Sequence, residues 1–515
     1  MADLLRKISL AIAVFALSVS TFAQTLQTPY PTKRPESPDT WKRDGWNAID
    51  QAKRQKTRNG KAKNVILFIG DGMGVSTLTA ARIFEGQMRG ESGEENRLSF
   101  ENFPYSALSK TYSANQQTSD SAPTMSAIIT GVKTDEGVLS VDQNVQHGNY
   151  RTVEGNKAKT LLEYAEESGR STGVVSTARI THATPGACYA HTADRDWESD
   201  ADIKTRKKDA YDAKFPDIAR QLIEFPYGDG LEVVLGGGRS KFLPKETADP
   251  EYPGKTGERL DGRDLTKEWQ SKYKDSAFVW NKQQFDSINT GKTRHLFGLF
   301  EPSHMKYEQD RRQDLAGEPS LSEMTSKAID VLANNKKGYF LMVEGGRIDH
   351  AHHEGNAYRA LRDTVALSDA VRTAVSKVNL DETLIIITAD HSHTFFIQGY
   401  PIRGNNILGL VREVDGDGNL EKDYSLDRNK KPFTTLGYAN GTGARADDER
   451  PRLNDTAVLE PDYKQEANIP LSAETHGGED VAIFATGVNA HLIRGSMEEN
   501  WIFYVMADAM RLVRK

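Results

Sequence analysis

Short runs of consecutive apolar residues recur along the chain, and each run ends at a small or acidic residue. The five clearest runs are NVILFIGDG (64–72), TGVVSTARI (172–180), LEVVLGGG (231–238), GYFLMVEGG (338–346) and TLIIITADH (383–391). Continuous apolar runs, unlike alternating ones, are typical of strands that are buried on both faces. They therefore predict the strands of a central sheet.

Segments with apolar residues at helical spacing separate these runs, most clearly at 322–335 and 357–378. Alternation of strands and helices favours an α/β fold with a large, mostly parallel central sheet and helices on both faces. The stretch between 191 and 300 predicts long polar connections. Residues 396–462 are rich in Gly, Asn, Asp, Arg and Pro and predict an inserted surface subdomain.

These patterns divide the chain into a main domain and smaller parts. We expect the α/β domain to comprise residues 64–395 and 463–515, with the subdomain inserted between them. The polar residues 24–63 predict an extended arm that contains a short helix around Trp41 to Lys56.

The first 23 residues have the pattern of a secretory signal peptide. Arg6 and Lys7 precede the apolar run Ile8–Leu17, and the residues at Thr21 and Ala23 predict cleavage after Ala23. A single membrane anchor is the alternative, but the run is about half of the roughly 20 residues that span a bilayer. We expect a periplasmic or secreted protein with no membrane span after signal removal.

Composition narrows the chemistry of any functional site. The chain has 515 residues, of which 37% are hydrophobic, which is enough for a large core. Its net charge of −7 gives no indication of a nucleic-acid-binding surface. Cys188 is the only cysteine, so an intramolecular disulfide and a multi-cysteine zinc site are excluded. A metal site would have to use His, Asp and Glu.

Titratable residues gather where the predicted strands end. Eight of the twelve histidines fall there or nearby: His182, His191, His350, His352, His353, His391, His393 and His476. The carboxylates at these ends are Asp71, Glu344, Asp349 and Asp390. A lone Asp after a strand is more often a cap, and a lone His is more often a satisfied core or surface residue. Because strand ends of such folds meet at one edge, the clustering instead predicts a site for two cations.

A nucleophile and an anion clamp are also visible. Ser121 stands just before a helical run, where free N–H groups and the helix dipole stabilise an anion by roughly 0.3–1 kcal/mol. Arg195 has the planar fork that can bind two oxygens of a tetrahedral oxyanion. In isolation, Asp120 or Ser121 would be a simple helix cap and Arg195 a surface residue.

Six motifs resemble those of the alkaline phosphatases and occur in the order of that family. They are FIGDGMG (68–74), SDSA with TGVKT (119–134), HATP with AHTADR (182–195), VEGGRIDHAHH (343–353), TADHSH (388–393) and ETHGGEDVAIFA (474–485). The chain is most similar to the animal-type branch, because His182 stands where the best-known enteric bacterial enzyme has Asp. The segments YPIRGNNILGL and RLDGRDLTKEW are also similar to that branch.

The resemblance implies a role for each matching residue. Ser121 would attack phosphorus and become phosphoserine, and Arg195 would hold two phosphate oxygens. The implied ligands are Asp71, Asp390 and His391 for one zinc, Asp349, His353 and His476 for a second zinc, and Asp71, Thr184 and Glu344 for magnesium. His182 would act on the magnesium through water, His393 would orient a zinc carboxylate, and Asp120 and His350 would lie behind the ligands.

The animal-type branch also implies a calcium site and a homodimer. The matching calcium positions are Glu251, Phe300, Glu301 and Glu318, the last in place of a family Asp. The inserted subdomain matches the crown of the family dimer, and Tyr400 matches a tyrosine that reaches the neighbouring active site. The segment DGDGN (415–419) is not an EF-hand, because Leu420 and Leu426 occupy the sixth and twelfth loop positions.

The function that the resemblance implies is hydrolysis of a broad range of phosphate monoesters at alkaline pH, with inorganic phosphate as product inhibitor. Two alternatives stay open at this stage. One is a phosphodiesterase on the same two-metal scaffold, which Arg195 disfavours because a diester carries less charge. The other is a catalytically inactive phosphate- or metal-binding protein, which would be expected to lack the nucleophile or several ligands.

Overall fold

A ten-stranded sheet forms the centre of the computed structural model, which describes residues 36–445 and 450–513. The predicted signal peptide and the first part of the predicted arm lie outside the described residues. The strands of this sheet are β1 (Asn64–Gly70), β2 (Tyr105–Lys110), β3 (Ser171–Arg179), β4 (Val233–Gly237), β5 (Ser276–Val279), β6 (His295–Leu299), β7 (Tyr339–Gly345), β8 (Thr383–Thr388), β14 (Val481–Gly487) and β15 (Ser496–Glu498). Their order is β15-β2-β14-β8-β1-β7-β3-β4-β6-β5.

The five strands predicted from apolar runs are confirmed and lie next to one another as β8-β1-β7-β3-β4. All of them run parallel, with Phe68 of β1 opposite Val343 of β7 and Ile387 of β8. These strands are almost wholly buried because helices cover both faces. Strand β14 alone of the ten runs opposite to its neighbours, between β8 and β2.

Helices enclose the sheet on both faces and create two large apolar clusters, one on each side. The described helices are α1 (Pro38–Arg54), α2 (Val75–Met88), α3 (Ser121–Thr130), α4 (Leu161–Glu167), α5 (Ala183–Gly186), α6 (Asp200–Arg206), α7 (Lys208–Asp212), α8 (Ile218–Ile223), α9 (Arg239–Phe242), α10 (Leu265–Lys272), α11 (Lys282–Ser287), α12 (Leu321–Leu332), α13 (Arg347–His353), α14 (Ala357–Lys377), α15 (Asp455–Val458) and α16 (Trp501–Met510). The two helices predicted at 322–335 and 357–378 are confirmed as α12 and α14.

The long stretch between 191 and 300 is more structured than the sequence predicted. Besides β4, it contributes β5 and β6 and several short helices. Strand β6 escaped prediction because its five residues, HLFGL, include an interior glycine that weakens a strand pattern. At the sheet's other edge, β2 has exposed residues and β15 has only three residues, whereas β14 has seven residues that are mostly buried.

A small second sheet has its middle strand within residues 396–462, the predicted inserted subdomain, and its outer strands at or beyond the two ends of that range. It consists of β10 (Phe395–Ile397), β11 (Leu436–Gly441) and β12 (Ala467–Pro470), and a two-stranded pair joins β9 (Ser392–His393) to β13 (His476–Gly477). None of the helices among the described residues has the length and apolar character needed to cross a membrane.

Candidate active site

The carboxyl ends of four central strands place the predicted titratable residues together. Asp71 directly follows β1, Glu344 is the penultimate residue of β7, and Asp390 follows β8. His182 follows β3 and precedes the short helix α5, which carries Thr184. Parallel strands direct these residues to the same edge of the sheet, which is where α/β folds bind ligands.

Helix α3 brings Ser121 to this edge as its first residue. The Asp120 side chain caps the helix by accepting a hydrogen bond from the Ala122 N–H at 2.7 Å. The helix ends at Gly131, whose left-handed backbone (φ 78°) suits glycine. Ser121 Oγ therefore lies at the positive end of the helix, 3.4 Å from Asp71 Oδ1 and 3.1 Å from His391 Nε2.

Three residues beside Ser121 form the first of the predicted cation groups. His391 Nε2 lies 3.4 Å from an oxygen of Asp71 and 3.4 Å from an oxygen of Asp390. All three side chains are fully buried. Asp390 Oδ1 accepts from the Gly72 N–H, but Asp390 Oδ2 and Asp71 Oδ2 are buried without a hydrogen-bond partner. Burial lowers the pKa of His391 well below its usual value, so its ring is neutral and can donate a lone pair.

Two imidazoles and a carboxylate form the second group. Asp349 Oδ1 lies 3.3 Å from Nε2 of both His353 and His476, and the two Nε2 atoms are 3.1 Å apart. The Nδ1 atom of His353 faces the Glu474 carbonyl at 2.6 Å, and that of His476 faces the Ser119 carbonyl at 2.8 Å. Because a carbonyl only accepts hydrogen bonds, each Nδ1 must carry the proton. In the neutral rings, two Nε2 lone pairs then face each other, an arrangement that a cation between them would relieve.

His393 lies between the second group and a buried glutamate. Its Nδ1 is 2.5 Å from Glu474 Oε2, and its Nε2 is 2.9 Å from Asp349 Oδ1. Burial alone would lower the pKa of His393, but these carboxylates raise it to about 10. Both ring nitrogens therefore donate to carboxylates, which is the arrangement that an orienting role toward Asp349 needs.

The third group is built mainly from oxygen atoms. Asp71, Glu344 and His182 offer donor atoms that lie within 4.8 Å of one another, and Thr184 is buried nearby on α5. Glu344 Oε2 accepts a hydrogen bond from the Ser176 hydroxyl, while Glu344 Oε1 and Thr184 Oγ1 have no partner. Burial raises the pKa of Glu344 to about 7.

Negative charge accumulates at this edge of the sheet. Burial and the neighbouring carboxylates of Asp390 and Asp349 raise the pKa of Asp71 well above its usual value. Burial raises the pKa of Asp390 to about 6. Unpaired buried carboxylates are costly unless a cation compensates them. The donor set therefore fits bound metal ions.

Arg195 lies beside the nucleophile and the third group. Its Nη1 donates to Asp120 Oδ1 at 2.8 Å, and its Nη2 is 3.2 Å from His182 Nε2. The Arg195 N–H donates to the Gly137 carbonyl at 2.7 Å, and Gly137 in turn donates to Asp120 Oδ2 at 3.2 Å. The guanidinium is thereby held next to the start of α3, close to Ser121.

Not every histidine of the predicted cluster belongs to one of the three candidate metal-binding groups. His191 lies apart, bonded to Glu163 and the Ser140 carbonyl. His352 lies behind the site, with its ring nitrogens bonded to the Thr77 hydroxyl and the Tyr438 hydroxyl. His350 is buried, and its ring centroid lies 5.4 Å from that of His182.

Several residues that support the site were not among those predicted from the sequence. They are Ser176 and Glu474, the carbonyl group of Ser119, and His304, whose ring contacts His350 with centroids 4.1 Å apart. Glu474 lies in a motif that was singled out for His476, so its carboxylate was the one detectable signal. The other contacts arise only from folding.

The predicted calcium residues gather in a separate acidic group. Glu251 and Glu301 offer oxygen atoms within 4.8 Å of a third carboxylate, that of Asp314, which the sequence did not single out. Glu318 is buried beside it, with Oε1 accepting from the Lys306 N–H at 3.0 Å and Oε2 unpartnered. The Phe300 side chain is buried. Lys306 and Arg239 already neutralise part of this charge, through Glu301 and Glu251 respectively.

Comparison with known proteins agrees with the geometry. The family model described as alkaline phosphatase matches residues 62–512. The alkaline phosphatase of Gadus morhua is 43% identical over 488 residues, covering 93% of this chain and 98% of that protein. The tissue-nonspecific isozyme of Gallus gallus is 42% identical over 503 residues, covering 96% of this chain and 93% of that protein.

Solved structures support the fold. Alkaline phosphatase from the Antarctic bacterium TAB5 superposes with a TM-score of 0.59 at 22% identity, covering 88% of this chain and 100% of that chain. The Thermus thermophilus alkaline phosphatase gives a TM-score of 0.62 at 23% identity, covering 90% and 94% respectively.

Proposed function

The chain belongs to the alkaline phosphatase family of phosphoric monoester hydrolases, and on that premise we propose that it acts through a phosphoserine on Ser121. In the first displacement, the Ser121 oxygen bonds to phosphorus while the ester oxygen departs and takes up a proton. In the second, a water oxygen bonds to phosphorus, the serine–phosphorus bond breaks, and inorganic phosphate leaves. The position of Ser121 at the start of α3, beside Asp71 and His391, supports this role.

We propose that three metal ions occupy the three groups. Nitrogen and carboxylate donors of Asp71, Asp390 and His391, and of Asp349, His353 and His476, suit zinc. The oxygen donors of Asp71, Glu344 and Thr184 suit magnesium, with His182 alongside. When bound, the ions would supply Lewis-acid activation and neutralise charge on the phosphoryl group. The facing Nε2 atoms of His353 and His476 carry this proposal.

The side chains around the metals have distinct tasks in this proposal. Asp71 accepts a hydrogen bond from the Ser121 hydroxyl at 3.4 Å and is suited to orient this nucleophile. Arg195, which projects beside Asp120, would bind two oxygens of the phosphoryl group. The same interaction would make inorganic phosphate a product inhibitor. Its preference for a dianion favours monoesters over diesters.

A calcium ion is a further element of the proposal. Carboxylate oxygens are the donors that calcium prefers. We assign Glu251, Glu301 and Asp314 as its side-chain ligands, with Glu318 and the Phe300 carbonyl from the predicted set beside them. The unpartnered buried Oε2 of Glu318 supports a cation in this place.

We also propose a homodimer in the periplasm or outside the cell. Helix α1 has no buried residue, and its Trp46 is 69% exposed. Tyr400, which the resemblance assigns to the partner's active site, is 84% exposed. A second copy of the chain would cover both. Light scattering of the purified protein should give twice the mass of one chain, and a monomeric mass would contradict the dimer.

Initial rates on p-nitrophenyl phosphate and on its bis-ester test the activity. We expect fast monoester turnover at alkaline pH, loss of turnover on chelation, and recovery with zinc and magnesium. Chelation without effect would contradict the metal assignment. Faster turnover of the bis-ester would favour a phosphodiesterase. It would also contradict the proposal that Arg195 selects dianionic monoesters.

A further inference from the structure

A cleft of about 350 Å³ opens on the surface between α12, α14 and the loop around residue 308. Its volume is in the range of small-molecule sites. Residues of α14 line one side at three- and four-residue intervals, so they share one face of the helix. Val365 and Ala366 contribute the apolar part of this face. None of the residues assigned above to the active site lines the cleft.

Three arginines line the cleft: Arg311, Arg362 and Arg372. Two of them are neutralised, because Arg311 pairs with Glu308 and Arg372 pairs with Asp369. With these two carboxylates, the ionised lining has one positive charge in excess. That excess is notable in a chain whose net charge is −7.

Arg362 supplies the unbalanced charge. It forms no ion pair with any residue in the described part of the chain, and its Nη1 has only the Met88 sulfur as acceptor, at 3.3 Å. Its Nε is buried and has no hydrogen-bond partner. Thioether sulfur is a weak acceptor, and buried unsatisfied donors are rare in folded proteins. The guanidinium therefore retains donor capacity for an external oxygen.

Neutral groups on the opposite side of the cleft also favour an anion. Ser320 caps α12 together with Glu323, whose carboxylate accepts from the Ser320 N–H at 2.8 Å, and the hydroxyl-bearing residues Ser320 and Ser322 line the cleft. Ser322 and Thr373 add hydroxyl groups, which bond to each other across the cleft at 2.7 Å.

We propose that this cleft is a second anion site, which binds a small oxyanion of the phosphate class through Arg362. The fork of a guanidinium matches two oxygens of such an anion. The site is separate from the candidate active site, so its occupancy does not depend on Ser121 or on bound metal.

Titration calorimetry with inorganic phosphate on the metal-loaded full chain tests the proposal. The wild type should bind two phosphates per chain, one at each site. Arg362→Gln should bind the second phosphate at least tenfold more weakly, with unchanged kcat, KM and competitive inhibition by phosphate. Arg362→Lys should retain a weakened site, because it keeps the charge but loses the fork. Arg294→Gln removes an exposed arginine outside the cleft and serves as the matched control.

Each outcome bears on the cleft separately from the active site. If phosphate does not bind the active site, the wild type should still bind one phosphate, and Arg362→Gln should lose it. Equal stoichiometry and affinity in the wild type and Arg362→Gln would overturn the proposal. Loss of binding in Arg294→Gln as well would overturn it too, because the effect would then be one of general charge. Binding should weaken with added salt, since exposed charges are screened over about 8 Å at 0.15 M.

Discussion

Two buried glutamates predict how the stability of this protein changes with pH. Glu166 lies on α4 and Glu232 directly precedes β4, at the sheet edge opposite the candidate active site. Both accept hydrogen bonds from Thr172, whose hydroxyl donates to Glu166 at 2.6 Å and whose N–H donates to Glu232 at 2.6 Å. Burial and the proximity of the two carboxyl groups raise the pKa of Glu166 to about 10, and burial raises that of Glu232 to about 8.

The sign of the effect follows from these raised values. The folded state keeps protons that the unfolded chain releases above pH 4.5, so stability is lost as pH rises toward the folded pKa values. Between pH 5 and pH 8, the raised pKa of Glu166 lowers the free energy of unfolding by about 1.4 kcal/mol per pH unit, or about 4 kcal/mol in total. With an unfolding entropy of about 2.1 cal/mol/K per residue, this corresponds to roughly 4 °C in Tm.

Glu166→Gln should remove this dependence, because glutamine is neutral in both states and its side-chain oxygen can still accept from Thr172. Differential scanning calorimetry at pH 5 and pH 8 measures the change. From pH 5 to pH 8, the Tm of Glu166→Gln should fall by several degrees less than the Tm of the wild type. Glu224→Gln is the control, since Arg220 and Arg263 lower the pKa of Glu224 despite its partial burial, so this carboxyl does not retain a proton in the folded state as Glu166 does. An equal pH dependence in the wild type and Glu166→Gln would refute the reasoning.

Further predictions concern the candidate active site. Ser121→Ala should abolish the phosphoenzyme trapped by acid quenching, with the zinc content measured by mass spectrometry unchanged; retained turnover would contradict the nucleophile. Arg195→Ala should weaken competitive inhibition by phosphate more than it lowers kcat, and an unchanged inhibition constant would argue against the clamp. Glu474→Gln should weaken zinc binding about 10- to 100-fold in a chelator competition, because His393 loses the carboxylate that orients it. Zinc affinity equal to that of the wild type would exclude this support.

The central strands could be predicted because they are buried on both faces, which leaves a continuous apolar run as a signal. The edge strands could not, since β2 alternates between exposed and buried residues and β5 has only four residues. Such short segments acquire their structure from pairing with a neighbour, which no local pattern reports.

The residues of the candidate site likewise divide into those that the sequence predicts and those that it does not. Side chains that follow strands, such as Asp71 and Asp390, are visible in the sequence because the fold rule fixes where strand ends meet. The carbonyl groups that set the histidine tautomers are not, since every residue has one. Clustering along the chain also included His191 and His352, which the structure bonds to Glu163 and Tyr438 instead.

Strand β14 has a consequence for how the protein is made. It fills the place between β8 and β2, yet it is among the last segments of the chain, and His476 comes just before it. A polypeptide still in synthesis has β2 and β8 but not the strand that joins them, so their facing edges have unpaired backbone groups. The segment that contains His476 and β14 thus joins β8 to β2 and completes the histidine set at the same time. Chains that end before β14 would keep unpaired edges on β2 and β8 and would lack His476. We expect such chains to be degraded by proteases and to have no partial activity.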